Sequence, residues 1–207
     1  MRQKHGFTII ELLAAIAIMM IVGGMLLLGG KYMVESSKKT TTKVMLQDLK
    51  SMNAAREMSV TATVHRQAIN AEYGGVPANA LAVGEIMPSR YPTATNAVGH
   101  TQNIMKLLYQ VPENRTVMAA MPAKQFMKDP SGASYETPIF LDGFKNPIIL
   151  CPASGLKGVT LNGSAVNITV NGIATSIVAK DGQPFFASAG PDGDFAQGDD
   201  NVYSFEQ

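Results

Sequence analysis

The spacing of apolar residues changes character along this chain. From Phe7 to Gly30 the sequence FTIIELLAAIAIMMIVGGMLLLGG is apolar on every side, and Glu11 is its one charged member. At 1.5 Å per residue such a run is roughly 36 Å long as a helix, enough to cross a bilayer. From Lys31 to about Met58 the apolar positions thin out to helical spacing, with Met45, Leu49 and Met52 on one stripe among good helix formers, and no proline occurs before Pro77. The helix is therefore expected to continue beyond the membrane and to bury one face on a globular head. Residues 70 to 137 are rich in Ala, Pro, Gly and Met, and there the pattern predicts one short helix, around Asn103 to Tyr109. From Pro138 onward come short β-type runs: IFL at 139 to 141, PIILC at 147 to 151, VTL at 159 to 161, VNITV at 166 to 170 and IATSIVA at 173 to 179. Asn171-Gly172 is placed to join the last two as a two-residue hairpin turn. The expected fold is α+β, a long N-terminal helix packed on a small antiparallel sheet.

Before the apolar run, Arg2 and Lys4 favour keeping that end in the cytoplasm and sending the rest across. Lys31, Lys38, Lys39 and Lys43 follow the span and weaken that rule. An ordinary secretory signal peptide has a shorter apolar region that ends at an A-x-A-like site; this run is longer and has no clear site of that kind. A plain single-pass anchor gives no reason for Glu11 at the fifth position of the run, because an acid within the membrane calls for a partner.

The segment Gly6-Phe7-Thr8-Ile9-Ile10-Glu11-Leu12-Leu13 resembles the class III leader of type IV pilins and type II secretion pseudopilins. In those proteins a prepilin peptidase cuts after the glycine, the new terminus is N-methylated, and the glutamate serves assembly. The resemblance thus implies a cut between Gly6 and Phe7, methylation of Phe7, and Glu11 as the assembly carboxylate, neutralising the α-amine of a neighbouring subunit in a low-dielectric setting. Gly23-Gly24 and Gly29-Gly30 interrupt the run, each glycine costing about 1 kcal/mol relative to alanine in a helix interior. They either let the helix bend or melt when subunits pack, or let neighbouring helices approach closely.

Composition narrows the remaining choices. Among 207 residues the formal net charge is +1 and the basic residues are scattered, so the electrostatic footprint of nucleic-acid binding is missing. Cys151 is the one cysteine and cannot form an internal disulfide, which leaves packing, a metal ion or assembly to stabilise an exported domain. Set in an apolar strand, it is expected to be a buried small hydrophobe. His5 lies in the leader, His65 and His100 are isolated, and neither a His-Glu metal spacing nor a glycine-framed serine occurs. No enzyme is expected.

Near the C-terminus, SAGPDGDFAQGDDNVYSF holds Asp192, Asp194, Asp199 and Asp200 within nine residues, among glycines that permit sharp turns. Carboxylates that close repel one another unless solvated or bridged by a hard cation. The spacing departs from the EF-hand template, whose fifth position would fall on Ala196 and twelfth on Tyr203. It resembles instead the calcium loop of the type II secretion major pseudopilin, in which Asp-Gly is followed seven residues on by Asp-Asp. That resemblance implies Ca2+ held by Asp192, Asp199 and Asp200, with backbone carbonyls near Ala189 and Tyr203 completing the shell and the strand Val202 to Phe205 pinned to the sheet. The segment LDGFKNPIIL resembles the D-x-W-G-N-P-Y region of the same proteins, with Phe144 in place of tryptophan and Lys145 in place of glycine.

The organisation expected from these features is a leader over 1–6, a transmembrane and filament-core helix over 7–30, its continuation over 31–60, and a head over 61–207 with the acidic loop at 188–203. By resemblance the chain sits in a bacterial inner membrane with its head outside the cytoplasm. Its expected partners are copies of itself, a prepilin peptidase, an inner-membrane platform protein, an assembly ATPase and a secretin. A type IV pilus subunit and a membrane-anchored exported domain are the alternatives.

Overall fold

The computed structural model describes residues 8–74, 80–86, 96–127, 139–161, 164–165, 168–170, 173–175, 177–198 and 200–206. The chain divides into two compact units, Met1–Ser37 and Lys38–Gln207. One helix, α1 (Ile9–Val60, 52 residues), supplies the first and contributes to the second.

In the first unit α1 runs without interruption through Gly23-Gly24 and Gly29-Gly30, where an added Cβ would meet nothing. Its large apolar residues, among them Ile10, Leu13, Met20, Val22 and Met33, are exposed. This helix is long and apolar enough to cross a membrane. A stretch that is apolar on every side, with its described large side chains exposed, suits lipid or other helices as its solvent.

In the second unit the expected stripe is buried: Met45, Leu46, Leu49 and Met52 are each 3% exposed or less. Helix α1 ends at Val60, and Thr61 starts α2 (Ala62–Glu72) from a left-handed conformation (φ 78°). Asn96 caps α3 (Ala97–Leu108), its Oδ1 accepting from Gly99 N at 2.8 Å. Proline at the first position opens α4 (Pro112–Ala120). Among its described residues, the region 70–137 that offered one short helix to the sequence pattern contains the end of α2 and the whole of α3 and α4, and the helix expected at 103–109 starts six residues earlier. In α3 the buried set includes Gly99 and Thr101, which an apolar-period search does not count.

A three-stranded antiparallel sheet is formed by β2 (Ile149–Cys151), β8 (Phe185–Ser188) and β9 (Val202–Tyr203), in the order β2-β8-β9. Leu150 pairs with Phe186 while Ile149 pairs with Ala187 and Cys151 with Phe185, so alternate residues face opposite sides. On one side Leu150, Phe186 and Val202 join Met45, Leu46, Leu49 and Met52 of α1, with Ile69 and Ile104. On the other, Ile149, Cys151, Phe185, Ala187 and Tyr203 pack with Leu81, Val98, Leu156 and Phe195. The sheet is the middle of three layers, and Cys151 is a buried free thiol as expected.

The strand pattern departs from one continuous antiparallel sheet. The strands β1 (Leu81–Ala82) and β3 (Leu156–Lys157) pair in parallel. Two antiparallel pairs stand apart from the main sheet, β4 (Thr160–Leu161) with β5 (Ser164–Ala165) and β6 (Ile168–Val170) with β7 (Ile173–Thr175). Val170 lies opposite Ile173, the register a two-residue turn gives; Asn171 and Gly172 themselves lie outside the described residues. The runs at 139–141 and 147–148 form isolated bridges, Phe126 with Phe140 and Leu141 with Pro147.

Candidate functional site

The N-terminus of α1 is built by Thr8 and Glu11. Thr8 donates from its backbone N and from its hydroxyl to the same oxygen, Glu11 Oε2, each at 2.8 Å, and Thr8 Oγ1 accepts from Glu11 N at 3.3 Å. This is a capping box, with threonine at the N-cap and glutamate three residues on, so donors that the first turn leaves unpaired are satisfied within the chain. The T-x-x-E spacing is plain in the sequence, and a search for assembly residues passes over it because it takes Glu11 alone. The processing residues Gly6 and Phe7 lie outside the described residues.

A second constellation gathers around Asp142, which is fully buried. Its Oδ1 accepts from Phe144 N and Asn146 N, both at 2.8 Å, and its Oδ2 accepts from Ser188 Oγ at 2.6 Å. Burial raises the Asp142 pKa, and these hydrogen bonds oppose the rise. Ser188 Oγ in turn accepts from Gly190 N at 3.1 Å, and Asn146 Nδ2 donates to Gly190 O at 2.7 Å. Gly190 (φ +70°) has no room for a side chain, because a Cβ there would overlap the carbonyl of Asp200. The turn at 142–146 therefore grips the start of the acidic loop.

On its other side the same turn touches α1. Gly143 N donates to Thr42 Oγ1 at 3.0 Å, and Thr42 Oγ1 donates to Lys38 O at 3.0 Å. A Cβ on Gly143 would collide with the Lys38 backbone. Lys38 Nζ stands 5.7 Å from the centre of the Phe144 ring. Lys145 holds φ +78°, a left-handed conformation that glycine adopts without strain. Its Nζ donates to the carbonyl of Lys124. Each position of LDGFKN thus has a physical task, including the one where the resemblance expects glycine.

The acidic loop itself is divided. Asp192 and Asp194 are exposed, and each carboxylate accepts from a backbone N–H two residues on, Asp194 N and Ala196 N, at 2.8 Å. Ala189 is buried, and Tyr203 lies in β9 with its carbonyl accepting from Glu206 N at 3.2 Å. Asp199 lies outside the described residues. Among the described residues no group of three or more His, Cys, Asp or Glu side chains stands close enough to hold a metal. The oxygen-only character of Asp192, Asp200 and the two carbonyls suits a hard cation.

The two histidines of the head are not isolated as the sequence suggested. His65, 3% exposed, meets Arg56 Nη1 at 2.5 Å through Nδ1 and Asn53 Oδ1 at 2.6 Å through Nε2. Burial, and then the Arg56 charge, lower its pKa to about 4, so at neutral pH Nε2–H donates to Asn53 and Nδ1 accepts from Arg56. His100 Nδ1 pairs with Glu72 Oε1 at 3.0 Å beside Tyr73, whose hydroxyl donates to the Leu150 carbonyl.

Residues 1–27 match the prokaryotic N-terminal methylation motif. This prepilin-type leader, a class III leader, is consistent with the type IV pilin and pseudopilin family, and it contains the Thr8–Glu11 capping box. It implies processing by a prepilin peptidase and assembly into a filament, and together with one long apolar helix it fits a single-pass, membrane-anchored protein. No curated protein and no solved structure matches the chain.

Proposed function

We propose that this chain is a structural subunit of a pilin-like filament, and within that class a type II secretion pseudopilin. The observation that carries the proposal is the prepilin-type leader running into a helix whose described large apolar side chains before Ser37 are exposed. Removal of residues 1–6 creates an α-amino cation at Phe7, four residues before Glu11. In the free subunit the Glu11 carboxylate is held by Thr8 of the same chain; on assembly the amine of a neighbouring copy becomes its counter-ion in a low-dielectric core. Bundling of the apolar helices then replaces lipid contacts with protein contacts.

The acidic loop and the LDGFKNP turn favour a pseudopilin over a pilus subunit. They resemble two regions of the major pseudopilins, and here they are joined through Asn146 and Gly190. In this account Asp192, Asp199 and Asp200 hold Ca2+ with the carbonyls near Ala189 and Tyr203. The ion would screen the mutual repulsion of these carboxylates. The assembly partners are a platform protein, an ATPase and a secretin, with the head outside the cytoplasm. The test is incorporation into filaments: the wild-type chain yields sheared or periplasmic fibres and Glu11→Ala yields none, whereas a chain that stays dispersed in the membrane in both forms is an anchored domain.

A further inference from the structure

We propose that the turn at residues 142–146 is a coupling latch, which makes the order of the α1 turn Lys38–Thr42 depend on the seating of the loop at 188–193. The links stand in series. Ser188 and Gly190 are tied to Asp142 and Asn146 by bonds of 2.6 and 2.7 Å, and one residue from Asp142, Gly143 N is tied to Thr42 Oγ1 at 3.0 Å.

Two features make this arrangement closer to all-or-none than graded. The Asp142 carboxylate is fully buried and shared between the turn and the loop, so withdrawing Ser188 leaves a buried acceptor short of a donor, and the turn opens to reach water. The Gly143 backbone lies against the Lys38 carbonyl with no space for even a methyl group, so the turn cannot shift without disturbing its contact with α1. Thr42 is itself fully buried, its hydroxyl donating within α1 and accepting from the turn.

The consequence is directional in the life of the chain. Residues 188–193 lie far along the sequence from 38–42 and are synthesised after them. The latch therefore holds this part of α1 firmly only in a chain whose C-terminal region has folded. No link in the series runs through a metal, so the coupling holds whether or not the loop takes up a cation and whether or not the chain enters a filament.

Hydrogen exchange of the full chain in detergent micelles tests this. Asn146→Ser is expected to raise exchange at residues 38–45 as well as at 188–193 by about threefold to tenfold, the range of one net hydrogen bond, with α3 unchanged. Asn114→Ser, which cuts ties to the Met52 and Leu108 carbonyls, is expected to leave 38–45 unchanged. Coupling is reciprocal, so Thr42→Val is expected to raise exchange at 188–193, and it decides the matter if Asn146→Ser does not fold. Loosening confined to the mutated side, or spread evenly over the head, overturns the proposal.

Discussion

Thr8 and Glu11 form a closed reciprocal pair: one carboxylate oxygen takes both donors of Thr8, and the Thr8 hydroxyl takes the Glu11 amide. Glutamate can therefore be separated into shape and charge at this position. Its shape completes a cap, which glutamine also does, and in the proposed assembly its charge answers an amine, which glutamine cannot do.

That separation gives the first prediction. Glu11→Gln is expected to keep the helix content of the micelle-bound chain, read by circular dichroism, while filament yield falls at least about tenfold, the factor that accompanies loss of 1.4 kcal/mol of net interaction. Thr8→Val keeps the charge and removes the hydroxyl, and is expected to lower yield less than Glu11→Gln does. Equal yields from Glu11→Gln and wild type would show that the carboxylate charge has no part in assembly.

Acid sensitivity follows from His65. Its folded pKa of about 4 lies below the ordinary 6.5, so as pH falls the unfolded chain takes up the proton first. Stability is full above pH 6.5, falls as pH drops towards 4 and levels off below, with a total loss on the order of 3 kcal/mol from this group. Chemical denaturation at pH 7 and pH 4.5 measures it, and His65→Gln is expected to flatten the difference. An unchanged slope in that variant would assign the acid sensitivity elsewhere.

Lys145 is expected to be a point of stored strain. A non-glycine residue in the left-handed region costs about 1–2 kcal/mol, and glycine gives back about 0.5–1 kcal/mol through its freer unfolded chain. Lys145→Gly is expected to raise the Tm of the head by up to about 3 °C. A fall of several degrees would show that the Lys145 contact with the Lys124 carbonyl outweighs the strain.

Calcium supplies a prediction on the acidic loop. An ion that binds only the folded chain stabilises it by about 2.7 kcal/mol at a hundredfold excess over Kd, so EDTA is expected to lower the Tm and Asp200→Asn to abolish the difference. Superimposable melts with calcium and with EDTA contradict a calcium site.

The sequence displayed the long helix and its buried stripe because Met45, Leu49 and Met52 repeat at helical spacing without a breaker. It hid α2 and α4 because short helices carry few apolar positions: in α2 only His65 and Ile69 are buried, and in α4 only Asn114 and Met118. A buried asparagine or histidine reads as surface until its partners are known. The same holds at the loop. Four aspartates in nine residues draw attention to themselves, whereas Asp142, some fifty residues earlier in the chain, meets Ser188 at the start of that loop only when β2 pairs with β8. Glu11 stands out by its place in an apolar run, but its bond to Thr8 is a matter of geometry.

The most direct test of a prepilin-type subunit is the intact mass and N-terminal sequence of the protein recovered from its native membrane or from sheared filaments. A chain that begins with N-methyl-phenylalanine at Phe7 is the predicted result; a chain that begins at Met1, or beyond Gly30, contradicts it.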